Sequence, residues 1–224
     1  RKRNLIYAGT GNDYTEPRTP YSDAVFAFDM DTGAVRWVKQ LTPGDAWNGG
    51  CITPSKHACP PNAGEDTDIG ASPVLITVNG RDILVVGQKS GVVYGIDPAH
   101  KGNILWQTRV GHGGALGGIM WGLAAEGGRA YVPLSDYAGE ALDSGGGIFA
   151  LTLSDGKVAW KVPHAKPACV GKRGCSPAQM APATLIPGVV FSGSMDGHLR
   201  AYASGDGAVI WDFDTLVDFA TVNG

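Results

Sequence analysis

Four times along the chain the same unit recurs: an alternating apolar strand, a turn carrying Asp, Ser or Gly, and a second strand ending in Trp. Val25 to Trp37 reads VFAFDMDTGAVRW and Val93 to Trp106 reads VYGIDPAHKGNILW. Ile148 to Trp160 reads IFALTLSDGKVAW and Leu199 to Trp211 reads LRAYASGDGAVIW. The four Trp residues stand 69, 54 and 51 positions apart. The turn glycine supplies the positive φ that closes a tight hairpin. Further strands are read between the hairpins, at Ala71 to Val78, Asp82 to Gly87, Arg129 to Leu134, Ala183 to Leu185 and Val189 to Ser192, giving roughly four strands per unit. Self-similarity at a period of about 50 residues, with several strands per unit, is the pattern of propeller blades. No window sustains a 3.6-residue apolar period, which excludes a helical solenoid. The expected fold is an all-β propeller. A single blade cannot cover its own faces, so neighbouring blades stack and the repeated Trp reads as core between sheets.

The rest of the composition agrees. The 224 residues include 34 Gly and 14 Pro, as a chain of many tight turns requires. A formal net charge of −3 without a basic stripe excludes a nucleic-acid partner. No run approaches the roughly 18 apolar residues of a membrane-spanning helix. The chain opens Arg1-Lys2-Arg3 and enters an apolar strand at once, with no signal peptide and no initiating Met. It closes Thr221-Val222-Asn223-Gly224, like the lead-in to a further element. Residues 1–224 are therefore expected to be one partial propeller domain of a longer protein. Four blades of a larger ring leave two radial faces open, which the remaining blades or a second chain would have to cover.

The four cysteines form two local pairs, Cys51 with Cys59 and Cys169 with Cys175, in Pro-, Lys- and Gly-rich stretches that read as exposed loops. An even count in close pairs favours two loop-stapling disulfides and an oxidising compartment, periplasmic or secreted. Reduced thiols remain the other reading. Neither pair has C-x-x-C spacing, which speaks against zinc, and no C-x-x-C-H is present for a c-type haem. His57, His100, His112, His164 and His198 are scattered without ligand spacing. The Gly run 111–118 lacks the Lys-Ser/Thr of a phosphate loop. Ser135-Asp136 and Ser194-Met195-Asp196 read as strand-end turns.

The repeat with its terminal Trp resembles the tryptophan-docking motif of the quinoprotein (PQQ-dependent) alcohol dehydrogenases. Three segments sharpen the likeness. Tyr7-Ala8-Gly9-Thr10-Gly11-Asn12 resembles the family's strand ending in Gly-x-Gly-Asn. Gln40 to Asn48, QLTPGDAWN, resembles its T-P-x-D-x-W-(D/N) segment. Gly87 to Tyr94, GQKSGVVY, resembles its Q-K-x-G-x-x-Y strand and turn. Their order and spacing match as well, over the whole chain. Asn48 in place of Asp, the flanking cysteines and Gly113 to Gly118 look most like the polyvinyl alcohol dehydrogenase branch.

The resemblance implies an eight-bladed propeller, of which about four blades lie in this chain. It implies PQQ held near the axis with Ca²⁺, a metal that takes six to eight oxygens and polarises a carbonyl as a Lewis acid. Asn12 matches the amide-oxygen calcium ligand, Asp45 the catalytic base and a neighbour of the metal, and Lys89 the cation beside the quinone oxygens. A carboxylate beside a divalent cation stays ionised, and a lysine there offsets charge developing on the quinone. By residue chemistry alone, all three also fit ordinary turn roles. The family's Glu ligand and the Trp beneath the quinone come from blades preceding the first motif, so this chain carries about half of a cofactor site. The expected partners are an alcohol and a cytochrome c that takes the electrons. The other reading is a non-catalytic propeller serving as a binding or assembly scaffold, which has no need of Asn12, Asp45 and Lys89 together.

Overall fold

The computed structural model describes residues 3–139, 141–220 and 222. Arg1 and Lys2 of the basic opening, and Thr221, Asn223 and Gly224 of the closing segment, lie outside the described residues. Four antiparallel sheets follow one another along the chain. The first is a three-stranded meander of β1 (Leu5–Gly9), β2 (Ala24–Asp29) and β3 (Val35–Gln40). The second runs β4 (Val74–Val78), β5 (Arg81–Gly87), β6 (Val92–Asp97), β7 (Asn103–Arg109). The third runs β8 (Ala124–Glu126), β9 (Arg129–Pro133), β10 (Ile148–Thr152), β11 (Val158–Val162). The fourth runs β12 (Thr184–Ile186), β13 (Val189–Gly193), β14 (His198–Ala203), β15 (Val209–Asp214). The only helical element among the described residues is one short 3₁₀ turn, Gly49–Ile52. None of the described helices is long and apolar enough to cross a membrane.

The strand that leads each of the last three sheets, β4, β8 and β12, meets its counterpart in the next sheet, so the leading edges converge as blades do around an axis. The expected all-β propeller is the observed architecture, with one correction. The first sheet has three strands rather than four, because no strand pairs with the free edge of β1 among the described residues. Strand bounds read from sequence were one to three residues off, most at β4, which starts at Val74 rather than Ala71 because Ile69 to Pro73 forms the loop entering it.

Three apolar clusters fill the spaces between the four sheets. Val25, Trp37 and Ile69 meet Leu84 and Tyr94 between the first and second. Ile83, Val93 and Trp106 meet Val132 and Leu153 between the second and third. Tyr131 and Ala150 meet Val190 and Tyr202 between the third and fourth. A strand sandwiched this way is covered on both faces, which is why Ile83 to Gly87 is a continuous apolar run rather than an alternation.

The repeated hairpin is built identically each time. The Trp pairs with a small residue on the preceding strand: Ala27 with Trp37, Gly95 with Trp106, Ala150 with Trp160, Ala201 with Trp211. One residue further on, every hairpin carries a register shift, a bulge that bends the strand and sharpens its twist. The indole then crosses to the turn glycine of the next sheet. A methyl at Gly102 would lie 2.9 Å from Trp37, at Gly156 2.6 Å from Trp106, and at Gly207 2.8 Å from Trp160. Trp106 Nε1 donates to Leu153 O at 2.7 Å and Trp160 Nε1 to Ser204 O at 3.1 Å.

Both expected disulfides are present, Cys51–Cys59 and Cys169–Cys175. The first staples a largely exposed loop. The second closes a loop whose residues 170–173 are exposed, as expected, while Cys169 and Cys175 themselves are buried, with Cys169 Sγ 3.7 Å from Met195 O.

Candidate functional site

The loops leaving β1, β3 and β5 and the loop entering β4 meet at one end of the first two sheets. Asn12 follows β1, Asp45 follows β3 and Lys89 follows β5. A short parallel bridge between Asp13 and Ala46 locks the first two loops together, with Trp47 N donating to Asp13 O at 2.8 Å.

The tripeptide Asp66-Thr67-Asp68 ties all three residues into one cluster. Asn12 N donates to Asp68 Oδ1 at 2.8 Å. Lys89 Nζ lies 2.9 Å from both Asp66 Oδ2 and Asp68 Oδ2. Thr67 donates twice to Asp45 Oδ2, from its N–H at 2.7 Å and from Oγ1 at 2.8 Å. Thr67 Oγ1 also lies 3.3 Å from Asp23 Oδ2. The structure thus gathers Asn12, Asp45 and Lys89, and adds Asp23, Asp66, Thr67 and Asp68, which the sequence reading missed. The signal for them was faint. Asp-Thr-Asp before a Gly- and Pro-bearing strand entry has the composition of an ordinary turn.

Burial makes this cluster unlike a surface turn. Asp23, Asp45, Asp66, Thr67 and Lys89 are all buried. Lys89 is therefore not the solvated turn lysine its neighbours suggest. Asp23 is wholly buried, and that burial, with Asp45 and Asp68 close by, pushes its carboxyl up to about 8. Burial likewise raises Asp66 to about 6, although the Lys89 ammonium opposes it. Burial works against the charge of Asp68 too, yet Lys89 and the Asn12 N–H outweigh it and hold the carboxyl below its ordinary value. Burial disfavours the Lys89 ammonium, but Asp68 and Asp66 more than offset that and raise it.

Oδ1 of Asp45 and Oδ1 of Asp23, both buried, accept from no N–H or hydroxyl, and a hydrogen bond between the two carboxyls helps raise Asp23. Asp45 borders a recess of about 170 Å³ formed with Thr42, Pro43, Gly44, Gly64, Glu65 and Thr67. A methyl on Gly64 would stand 1.9 Å from Asp45 Oδ1, so only glycine leaves that oxygen room. The Asn12 amide is oriented as well. Its Nδ2 donates to Trp47 O at 2.5 Å and Asp13 O at 2.9 Å, which leaves Oδ1 as the free end of the side chain.

The larger recess, about 430 Å³ beside Trp121, Met180, Met195 and Leu199, belongs to the repeat rather than to this chemistry. At the same strand end, Gly9 is covered by Ile69 and Gly87 by Ile119, whereas Gly193 meets only Ala181, at 3.3 Å, among side chains of other loops. The Ser135-Asp136 and Ser194-Met195-Asp196 turns are structural, as expected. Asp136 accepts from the N–H groups of His112, Gly113 and Gly118, and Asp196 pairs with Arg200.

The PQQ_2 family model, described as outer membrane protein assembly factor BamB, matches residues 21–216. The chain belongs to the PQQ-type propeller family. Within this PQQ-type family, a polyvinylalcohol dehydrogenase of Pseudomonas sp. is 43% identical over 228 residues, covering 100% of this chain and 35% of the relative. A second polyvinylalcohol dehydrogenase, from Sphingopyxis sp. (strain 113P3), is 44% identical over 95% of this chain and 34% of its own length. The chain spans about a third of the length of these curated relatives. Among solved structures, a europium-containing methanol dehydrogenase superposes with a TM-score of 0.66 at 19% identity, over 94% of this chain and 44% of that one. At that identity the likeness shows the PQQ-type propeller fold. The resemblance to quinoprotein alcohol dehydrogenases, and to the polyvinyl alcohol branch, is thereby met.

The donor chemistry fits the groups that this family implies. Asn12 Oδ1 and the Asp45 carboxylate are hard oxygen donors, suited to a hard cation. Among the described residues no three His, Cys, Asp or Glu side chains are placed to hold a metal by themselves. These donors would be a minority of the six to eight that calcium takes.

Proposed function

We propose that this chain forms part of the propeller of a PQQ-dependent dehydrogenase of the periplasm or cell exterior, oxidising primary or secondary alcohols, polymeric ones included. A cytochrome c would take the electrons. One observation carries the reading: Asn12, Asp45 and Lys89, far apart in sequence, are drawn into one cluster by Asp66-Thr67-Asp68. The names of the relatives supply the substrate class, a secondary-alcohol polymer.

When bound, PQQ would supply the two-electron acceptor and Ca²⁺ the Lewis acid. Asn12 Oδ1 and Asp45 would hold the cation. Asp45 Oδ1 would accept the alcohol proton as the C–H bond breaks. Lys89 would offset negative charge on the acceptor's oxygens, which requires loosening its hold on Asp66 or Asp68. Burial shields Asp45, Asp66 and Lys89 from water, which strengthens their contacts.

Replacing Asp45 with Asn keeps the shape and removes the proton acceptor. PQQ should still bind, followed by its absorbance, while turnover of a small alcohol falls about 10²–10⁴-fold. Undiminished turnover would remove Asp45 from the mechanism. The second reading, a scaffold propeller, is favoured by the assembly-factor description of the family model. It predicts no PQQ binding with CaCl₂ present and no loss from changing Asn12, Asp45 or Lys89.

A further inference from the structure

We infer that Thr67 is the positioning residue for Asp45, holding Oδ2 and so fixing Oδ1 against Gly64; this rests on the dehydrogenase reading above. A carboxylate on a loop can rotate about its terminal bond, presenting either oxygen. Here the rotation is stopped from both sides. Thr67 occupies Oδ2 with two hydrogen bonds from one residue, N–H at 2.7 Å and Oγ1 at 2.8 Å. The bare backbone of Gly64 packs against Oδ1, where a methyl would stand at 1.9 Å. Gly64 is itself held, its N–H donating to Ala46 O at 3.0 Å, one residue after Asp45.

Thr67 cannot drift, because its neighbours on each side are anchored. Asp66 and Asp68 grip Lys89, and Asp68 also accepts from Asn12 N. One tripeptide therefore sets the orientation of the carboxylate and its separation from Asn12 and Lys89. Partners of this kind, bonded to a functional group and not to the ligand, commonly contribute about 10–100-fold to metal affinity or activity.

The test removes only the hydroxyl. Thr67→Val is nearly isosteric and keeps the backbone N–H, whereas Thr67→Ser restores an Oγ. Both are compared with Asp45→Asn in the protein loaded with PQQ, reading kcat and KM for a small secondary alcohol. The second readout is tryptophan-sensitised Tb³⁺ luminescence of the PQQ-free protein, which reports hard-cation affinity without turnover. The expected result is a loss of about 10-fold or more in kcat and in Tb³⁺ affinity for Thr67→Val, with KM little changed and Thr67→Ser close to the parent. Should Thr67→Val not fold, Thr67→Ala takes its place. Unchanged kcat and Tb³⁺ affinity in Thr67→Val, or equal losses in Val and Ser, would overturn the assignment and leave Thr67 a packing residue. Full turnover in Asp45→Asn, together with weakened Tb³⁺ binding in Thr67→Val, would instead remove the base assignment and keep Thr67 as the residue that aims Asp45.

Discussion

At the scale of single residues, the cluster is defined by three carboxyl groups, those of Asp23, Asp45 and Asp66, placed where water barely reaches them. Asp23 is the extreme case, wholly buried with a carboxyl pushed up to about 8 by that burial and by Asp45 and Asp68. The folded chain keeps a proton there that the unfolded chain releases near pH 4. The stability linked to that proton is fully present below about pH 4 and is lost as pH rises through about 8, at a slope of up to about 1.4 kcal/mol per pH unit. Thermal unfolding of the metal-free protein should therefore show a midpoint that drops between pH 5 and pH 9. Asp23→Asn should flatten that drop, and an unchanged slope would exclude Asp23 as its source. Asn12, Asp45 and Lys89 were singled out in sequence only through the family resemblance of the runs that hold them. Asp23, Asp66, Thr67 and Asp68 were not, since their significance is burial and mutual contact, which a turn-like composition does not reveal.

At the scale of elements, the hairpin ending in Trp was legible almost completely. Its alternation, turn glycine and small residue two before the strand-ending position are all local. The glycine, however, serves two purposes that structure separates. Gly33 and Gly156 both adopt positive φ, but a methyl on Gly33 meets nothing within 4 Å, whereas one on Gly156 would press on Trp106 at 2.6 Å. Gly33→Ala should cost only the left-handed penalty of about 1–2 kcal/mol. Gly156→Ala should add an overpacking cost of about 1–3 kcal/mol. Urea unfolding of the two variants measures the difference, and equal costs would mean that the Trp106 contact is not tight in solution. The pairing of one blade's Trp with the next blade's glycine was invisible in sequence, because it links residues 47 to 65 positions apart across a sheet gap.

At the scale of the whole molecule, stability is a sum of inter-sheet contacts, as in any stacked repeat. Trp37 and Trp106 are 9% and 8% exposed, whereas Trp211 is 44% exposed and stacks on Phe213 with centroids 5.5 Å apart. Leu199, Val209, Ile210 and Phe219 are exposed on the same sheet or just after it. Trp106→Ala should cost this chain about 3–5 kcal/mol, in the range of large core truncations. Trp211→Ser should cost less than about 1 kcal/mol. Denaturant titration of the two variants decides the point, and a large loss at Trp211 would show that its face is covered in solution.

The repeated hairpin and the two cysteine pairings follow from residues within about a dozen positions of one another, and the fold class from the recurrence of that hairpin along the chain. Period-two alternation, positive-φ turns and short cysteine loops are local physics. The tertiary structure alone decided which loops meet, that the first sheet has three strands among the described residues, and that Asp66-Thr67-Asp68 is the hub of the side-chain cluster. Those outcomes depend on how neighbouring sheets pack against one another. Packing brings Lys89 to Asp66 and Asp68, and Asn12 to Asp68, across 21 to 56 residues of chain, and burial then changes what their charges can do.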